Sequence, residues 1–227
     1  MDEESKEALV EAVALLEQAG LIDYNGHASL RLADGRFAIN SGASNRAALT
    51  SADITMIDVQ GEAAPGLPGP PKERFLHTAL YAARPDVGAV VHAHSTWATM
   101  LSSCSIPYEP VFPQGALVGQ VSLFAEVASI NTPALGAELA ATLGVGRAVL
   151  LQSHGLLTCG QTLVEAVVLA LYLEENARRQ MLARSAVGTY RVMTAEEIAS
   201  AEHNLRDAKL FDKAYAYFLA KARTAPL

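Results

Sequence analysis

Gly88-Ala89-Val90-Val91-His92-Ala93-His94-Ser95 is the stretch whose reading decides the fold. The run up to His92 is apolar and partly β-branched, which predicts a buried strand. Helix-forming residues follow Ser95, so both histidines stand at the carboxyl end of that strand, where ligand sites gather in α/β sheets. Side chains at i and i+2 of a strand share a face. Two imidazoles on one face are a grip for a transition metal. A pair of hydrogen-bonded core or surface histidines is the plain alternative.

Reading outward, Ala148 to Leu151 predicts a second buried strand, and His154 with Gly155 follows it at an equivalent position. Glycine there allows close backbone approach. Three histidines leave a coordination position open, the requirement for a catalytic metal. On the other side, Glu73 opens a predicted helix that runs to Arg84 and is stopped by Pro85. A carboxylate is favoured at that helix end, although an exposed first-turn glutamate needs no function. His77 lies on the same helical face, as a supporting partner or as packing. Ser41-Gly42 follows a strand, where such a pair can form a backbone anion nest.

The remaining chain alternates helices and strands. Leu9 to Ala19 has helical spacing with Gly20 as its end. Ala28 to Leu32 and Arg36 to Ile39 read as a hairpin turning at Asp34-Gly35, and Ile54 to Val59 as a further strand. The Pro- and Gly-rich stretch from Glu62 to Pro71 is a loop. Thr132-Pro133 starts a helix that ends at Gly144. Two long helices close the chain, with capping boxes predicted at Thr162/Glu165 and Thr194/Glu197. In the last, Ile198, Ala201, Leu205, Ala208, Tyr215, Phe218 and Ala222 trace one face. One α/β domain over residues 1–227 is expected, with a C-terminal helical extension from about 186–223.

The 227 residues carry a formal net charge of −7, which argues against nucleic-acid or anionic-membrane partners. The longest apolar run, Ala166 to Leu173, is far short of the ~18 residues of a membrane span. The two cysteines, Cys104 and Cys159, lack a metal or disulfide spacing, and the acidic Asp2-Glu3-Glu4 start is unlike a signal peptide. A soluble cytoplasmic protein is expected.

In order, Gly26-His27-Ala28-Ser29-Leu30-Arg31, Ser41-Gly42, Glu73, His92-x-His94 and His154-Gly155 resemble the class II aldolase/adducin family over roughly Leu9 to Arg184. The resemblance implies a three-layer α/β/α fold around a central, mainly antiparallel sheet, and a homotetramer with active sites between subunits. It implies a divalent metal on His92, His94 and His154, zinc first and manganese, cobalt or iron as alternatives. Glu73 would be the proton-moving group, and the metal would stabilise an enolate-like intermediate. His27, Ser29, Ser41, Gly42, Lys72 and His77 would bind substrate.

Three positions depart from the sugar-phosphate aldolases of that family. Their Asn is His27, their phosphate-binding serine pair is Pro71-Lys72, and their loop tyrosine falls at Phe112, which has no proton to give. Tyr108, Tyr215 or Tyr217 would have to replace it. Gly-His-x-Ser-x-Arg together with Glu73-Arg74-Phe75-x-His77 looks more like the branch that includes 3,4-dihydroxyphthalate decarboxylases. The expected function is therefore a metal-dependent carbon–carbon lyase acting on a small carboxylate, decarboxylating a hydroxylated aromatic acid. Aldol cleavage of a hydroxyketone, an iron-dependent oxygenase and a non-catalytic adducin-like interaction domain are the alternatives.

Overall fold

The structure, a computed structural model, describes residues 2–224. Seven strands, β1 (His27–Arg31), β2 (Phe37–Asn40), β3 (Ile54–Ile57), β4 (Ala89–Ala93), β5 (Val121–Phe124), β6 (Ala148–Leu151) and β7 (Gly155–Gly160), form one sheet. Its order is β3-β2-β1-β4-β7-β6-β5. Every neighbouring pair is antiparallel except β5 with β6.

Side chains leave a strand alternately to its two faces, and here both faces are covered. Ala89, Val91 and Ala93 of β4 join a core with α1 (Glu3–Gln18), α3 (Thr96–Ser103), α6 (Leu163–Val187) and α8 (Ala208–Thr224). Val90 of the same strand joins Leu76, Leu80, Leu139 and Leu143 from α2 (Arg74–Ala83) and α5 (Pro133–Leu143) on the other face. The result is the expected three-layer α/β/α fold with a mainly antiparallel sheet. The first half of α6 is buried all round, from Ala166 to Ala170, as befits a helix enclosed between the sheet and other helices. No helix among the described residues is long and apolar enough to cross a membrane.

Two expectations about the C-terminal helices change. The predicted last helix is two helices, α7 (Ala195–Leu205) and α8. Asp207 breaks it: its side chain accepts from the Lys209 N–H at 2.7 Å, and its carbonyl accepts from Leu210 and Phe211. That local bonding starts a new helix, whose Phe211 packs against Tyr172 of α6. At the start of α6, Thr162 accepts from the Glu165 N–H at 3.1 Å, but the Glu165 carboxylate returns to Gln161 at 2.8 Å instead of Thr162. Of the two predicted boxes, Thr194/Glu197 of α7 is the one that forms reciprocally.

Candidate metal centre

His92 is the penultimate residue of β4, on the face shared with Val90, and His94 lies just beyond the strand. His154 sits in the turn between β6 and β7, beside Ser153, whose φ of 53° is left-handed. That uncommon conformation is tied to α3: the Ser153 N–H donates to Ser102 Oγ at 3.0 Å. Gly155 then approaches β4 so closely that a Cβ would fall on the Ala93 carbonyl. Glu73 caps the N-terminal end of α2 without a side-chain capping bond, so its carboxylate is available to the cluster.

These elements bring one ligand atom each from Glu73, His92, His94 and His154 within 4.8 Å of one another. The three imidazoles converge through Nε2. His94 Nε2 is 3.2 Å from both His92 Nε2 and His154 Nε2. Each Nδ1 is engaged elsewhere: His92 with the Leu156 carbonyl at 2.9 Å, His154 with the Ala128 carbonyl at 3.1 Å, and His94 facing Asp23 Oδ1 at 3.4 Å. A ring that donates its Nδ1 proton presents an Nε2 lone pair, so three lone pairs face one another. Such an array needs a cation. Metal–nitrogen bonds of about 2.0–2.1 Å in tetrahedral geometry would put the nitrogens about 3.3–3.4 Å apart, close to what the rings already adopt. The donor set therefore fits a divalent metal.

Glu73 is oriented by two donors, Ser129 Oγ at 2.9 Å and the Ile130 N–H at 3.0 Å, both on Oε1. Its Oε2 lies 3.4 Å from His92 Nε2 and 4.0 Å from His27 Nε2. Burial pushes the carboxyl pKa up, but the His92 bond, the charges of His92 and His154, and the Ser129 bond outweigh it and hold it well below the ordinary range. Burial, reinforced by His92, lowers His94 and brings His154 down to about 4. Glu73 is thus an ionised carboxylate beside three converging imidazoles, placed to bind a cation or accept a proton.

The other predicted substrate residues are distributed unevenly. His27 is adjacent to Glu73, whereas Ser29 and His77 have no exposed surface and sit behind His27. Lys72 is exposed next to Glu73. The expected anion nest at Ser41-Gly42 does not form, because those N–H groups already donate to the carbonyls of Asp53 and Gly69. Phe112 is the cap residue before α4 (Pro113–Ala116), with the Arg179 guanidinium 4.1 Å above its ring. Tyr108 donates to the Gly115 carbonyl, and Tyr215 packs among the core residues of α8, while Tyr217 is exposed. Asp23, Ser129 and Tyr81 enter the site's surroundings without a sequence signal: Asp23 resembles a turn residue, accepting from the Asn25 N–H at 2.7 Å.

A family model described as the Class II Aldolase and Adducin N-terminal domain matches residues 7–181. The 3,4-dihydroxyphthalate decarboxylase of Terrabacter sp. (strain DBF63) is 28% identical over 211 residues, covering 86% of this chain and 87% of that protein. The L-fuculose phosphate aldolase of Escherichia coli O6:H1 is 33% identical over 175 residues, covering 77% of this chain and 80% of that one. Among solved structures, an L-fuculose 1-phosphate aldolase from Glaciozyma antarctica PI12 aligns with a TM-score of 0.85 at 24% identity, over 97% of this chain and 88% of that one.

Proposed function

The chain belongs to the class II aldolase and adducin family, whose members include metal-dependent lyases, and on that premise we propose that it decarboxylates a small hydroxylated aromatic acid such as a dihydroxyphthalate. The observation that carries the lyase reading is the convergence of three Nε2 atoms on one ionised carboxylate. His92, His94 and His154 would hold the cation, zinc being the first choice for imidazole ligands, with manganese, cobalt and iron as alternatives. When bound, it supplies Lewis-acid stabilisation of negative charge on a substrate oxygen.

The chain's own residues account for the proton movements. Glu73, fixed by Ser129 and Ile130, is placed to take the proton of a substrate hydroxyl. The phenolate so formed pushes electron density onto the carbon that carries the carboxylate, which takes the proton back from Glu73; when carbon dioxide then leaves, the pair of the broken carbon–carbon bond restores the aromatic ring and the phenolate oxygen. His27 and the exposed Lys72 flank Glu73 and suit substrate carboxylates.

Two features favour decarboxylation over sugar-phosphate cleavage. Pro71 and Lys72 stand where the aldolases have phosphate-binding serines, and Phe112 offers no phenol. The dihydroxyphthalate decarboxylase also aligns over more of the chain than the E. coli aldolase. The higher identity of that aldolase supports retro-aldol cleavage as the second reading. Small-molecule substrates are common to these relatives; a homotetramer with intersubunit sites, as in the resemblance, belongs to the proposal. The test is to load the purified protein with zinc or manganese and measure carbon dioxide from 3,4-dihydroxyphthalate alongside cleavage of L-fuculose 1-phosphate. Ready turnover of the sugar phosphate with none of the acid would overturn the decarboxylase reading and leave the lyase one.

A further inference from the structure

Behind the metal ligands runs a line of buried polar groups, of which the proposed chemistry uses only His27. His27 Nδ1 meets His77 Nε2 at 2.7 Å, His77 Nδ1 meets Ser29 Oγ at 2.7 Å, and Ser29 Oγ meets Tyr81 Oη at 2.8 Å. All four side chains are nearly or wholly enclosed. The line spans β1 and α2, since Ser29 and His27 alternate to the same face of the strand while His77 and Tyr81 are one turn apart on the helix. We infer that Tyr81, Ser29 and His77 form a one-way hydrogen-bond chain that fixes His27 with its proton on Nε2, so that His27 meets substrate as a hydrogen-bond donor.

The direction follows from counting protons. Among the described residues Tyr81 Oη has one hydrogen-bond partner, Ser29 Oγ, and a buried hydroxyl proton without an acceptor is costly. Tyr81 therefore donates. Ser29 Oγ, having accepted, must place its own proton on its remaining partner, His77 Nδ1. A neutral His77 that accepts at Nδ1 carries its proton on Nε2 and donates to His27 Nδ1. His27 accepts there and keeps its proton on Nε2. Both rings are enclosed, an environment that disfavours the charged imidazolium.

The far end of the line agrees independently. His27 Nε2 points toward Glu73 Oε2, 4.0 Å away and so beyond hydrogen-bond reach. A proton on Nε2 faces that carboxylate favourably, whereas a lone pair would oppose it. The reversed chain would leave the Tyr81 proton without an acceptor at one end and set two electron-rich atoms together at the other. His27 is thereby a specificity-determining donor that suits a carboxylate, carbonyl or phenolate oxygen and not an ammonium group. Ser29, His77 and Tyr81 are positioning residues that act through it.

What His27 meets rests on the lyase reading, but the direction of the chain does not. The tautomer is read from 15N spectra of histidine-labelled protein, with and without zinc, His27 being identified by the signal lost in His27→Gln. The expected result is a protonated-type Nε2 and an unprotonated-type Nδ1 for His27 in both forms. A proton on His27 Nδ1 overturns the inference, whatever the protein's activity proves to be. Ser29→Ala removes the link that imposes direction, and the His27 Nδ1–H form should then appear. An unchanged His27 tautomer in a folded Ser29→Ala protein would show that Glu73 alone sets it and would equally overturn the chain. If that variant does not fold, the wild-type spectrum still decides.

Discussion

His92 Nε2 and His94 Nε2 lie 3.2 Å apart, although the Nδ1 of His92 is already committed to the Leu156 carbonyl and that of His94 faces Asp23. Neither ring can relieve the contact by turning without losing its Nδ1 partner. The geometry is thus preorganised for a cation, and a metal should bind with little rearrangement.

The purified protein is accordingly expected to hold about one divalent metal per chain, measured by elemental analysis, and His92→Ala/His94→Ala to hold none. Metal at one hundred times its dissociation constant should stabilise by about 2.7 kcal/mol. For a chain of this length that corresponds to a rise in Tm of about 5–10 °C. Equal Tm values with and without added metal, in protein stripped by chelator, would remove the basis of the site.

Much of this was legible before folding because the relevant residue types are uncommon and their context is local. His92 and His94 follow a run that only a buried strand explains, and His154-Gly155 repeats the arrangement. β7 escaped notice because both its faces are buried, so Leu156, Leu157 and Cys159 show no alternation, and glycines bound it. β5 is a four-residue strand with Leu123 exposed. The break at Asp207 was hidden by an apolar spacing that continues through it. Asp23 was out of reach for a different cause: its partner His94 is distant in sequence, and its own neighbourhood marks it only as a turn.

Asp23 makes a separate prediction. Its carboxylate faces His94 Nδ1 at 3.4 Å, the arrangement that orients a ligating imidazole and raises its basicity. Asp23→Asn should leave the fold intact and weaken metal affinity about 10–100-fold, measured by competition with a chromophoric chelator. Unchanged affinity would mean that His94 is oriented by its β4 position alone.

Glu73→Gln keeps the shape that accepts from Ser129 and Ile130 but removes the proton acceptor. The loss of a positioned general base is expected to lower kcat about 10²–10⁴-fold. Metal content should persist, because three imidazoles remain. A variant that loses its metal along with its activity would place Glu73 among the essential ligands instead of at the proton.

Acid stability of the metal-free protein should carry the signature of His77. Its pKa is about 3 in the folded chain against 6.5 for an ordinary histidine. A depressed value means that the unfolded chain takes up the proton first. The contribution is therefore complete above pH 6.5 and declines as pH falls toward 3, at about 1.4 kcal/mol per pH unit. Urea midpoints between pH 4 and 6, as rough bounds on a practical window, should fall less steeply for His77→Gln than for wild type. Parallel curves would show that His77 is protonated in the folded protein.

Gly155 links the sheet to the site and makes the sharpest steric prediction. It pairs with Leu151 in the β6–β7 ladder while its Cα faces the Ala93 carbonyl and His94 Cα across from β4. A methyl group there has no flexible neighbour to displace, since the obstacle is backbone on a central strand. Gly155→Ala must force β7 away from β4, and forced overpacking of this kind costs about 1–3 kcal/mol. His92 and His94 are carried on or just beyond β4, and His154 precedes the displaced residue. The same shift therefore opens the Nε2 spacing, and metal affinity should fall together with Tm. Ser103→Asn, at an exposed position whose hydroxyl donates to Ser153 Oγ at 3.1 Å, is the contrasting change: it should leave both quantities within error. If Gly155→Ala lowered Tm without changing metal affinity, the close β4–β7 approach would serve the sheet alone and not the spacing of the ligands.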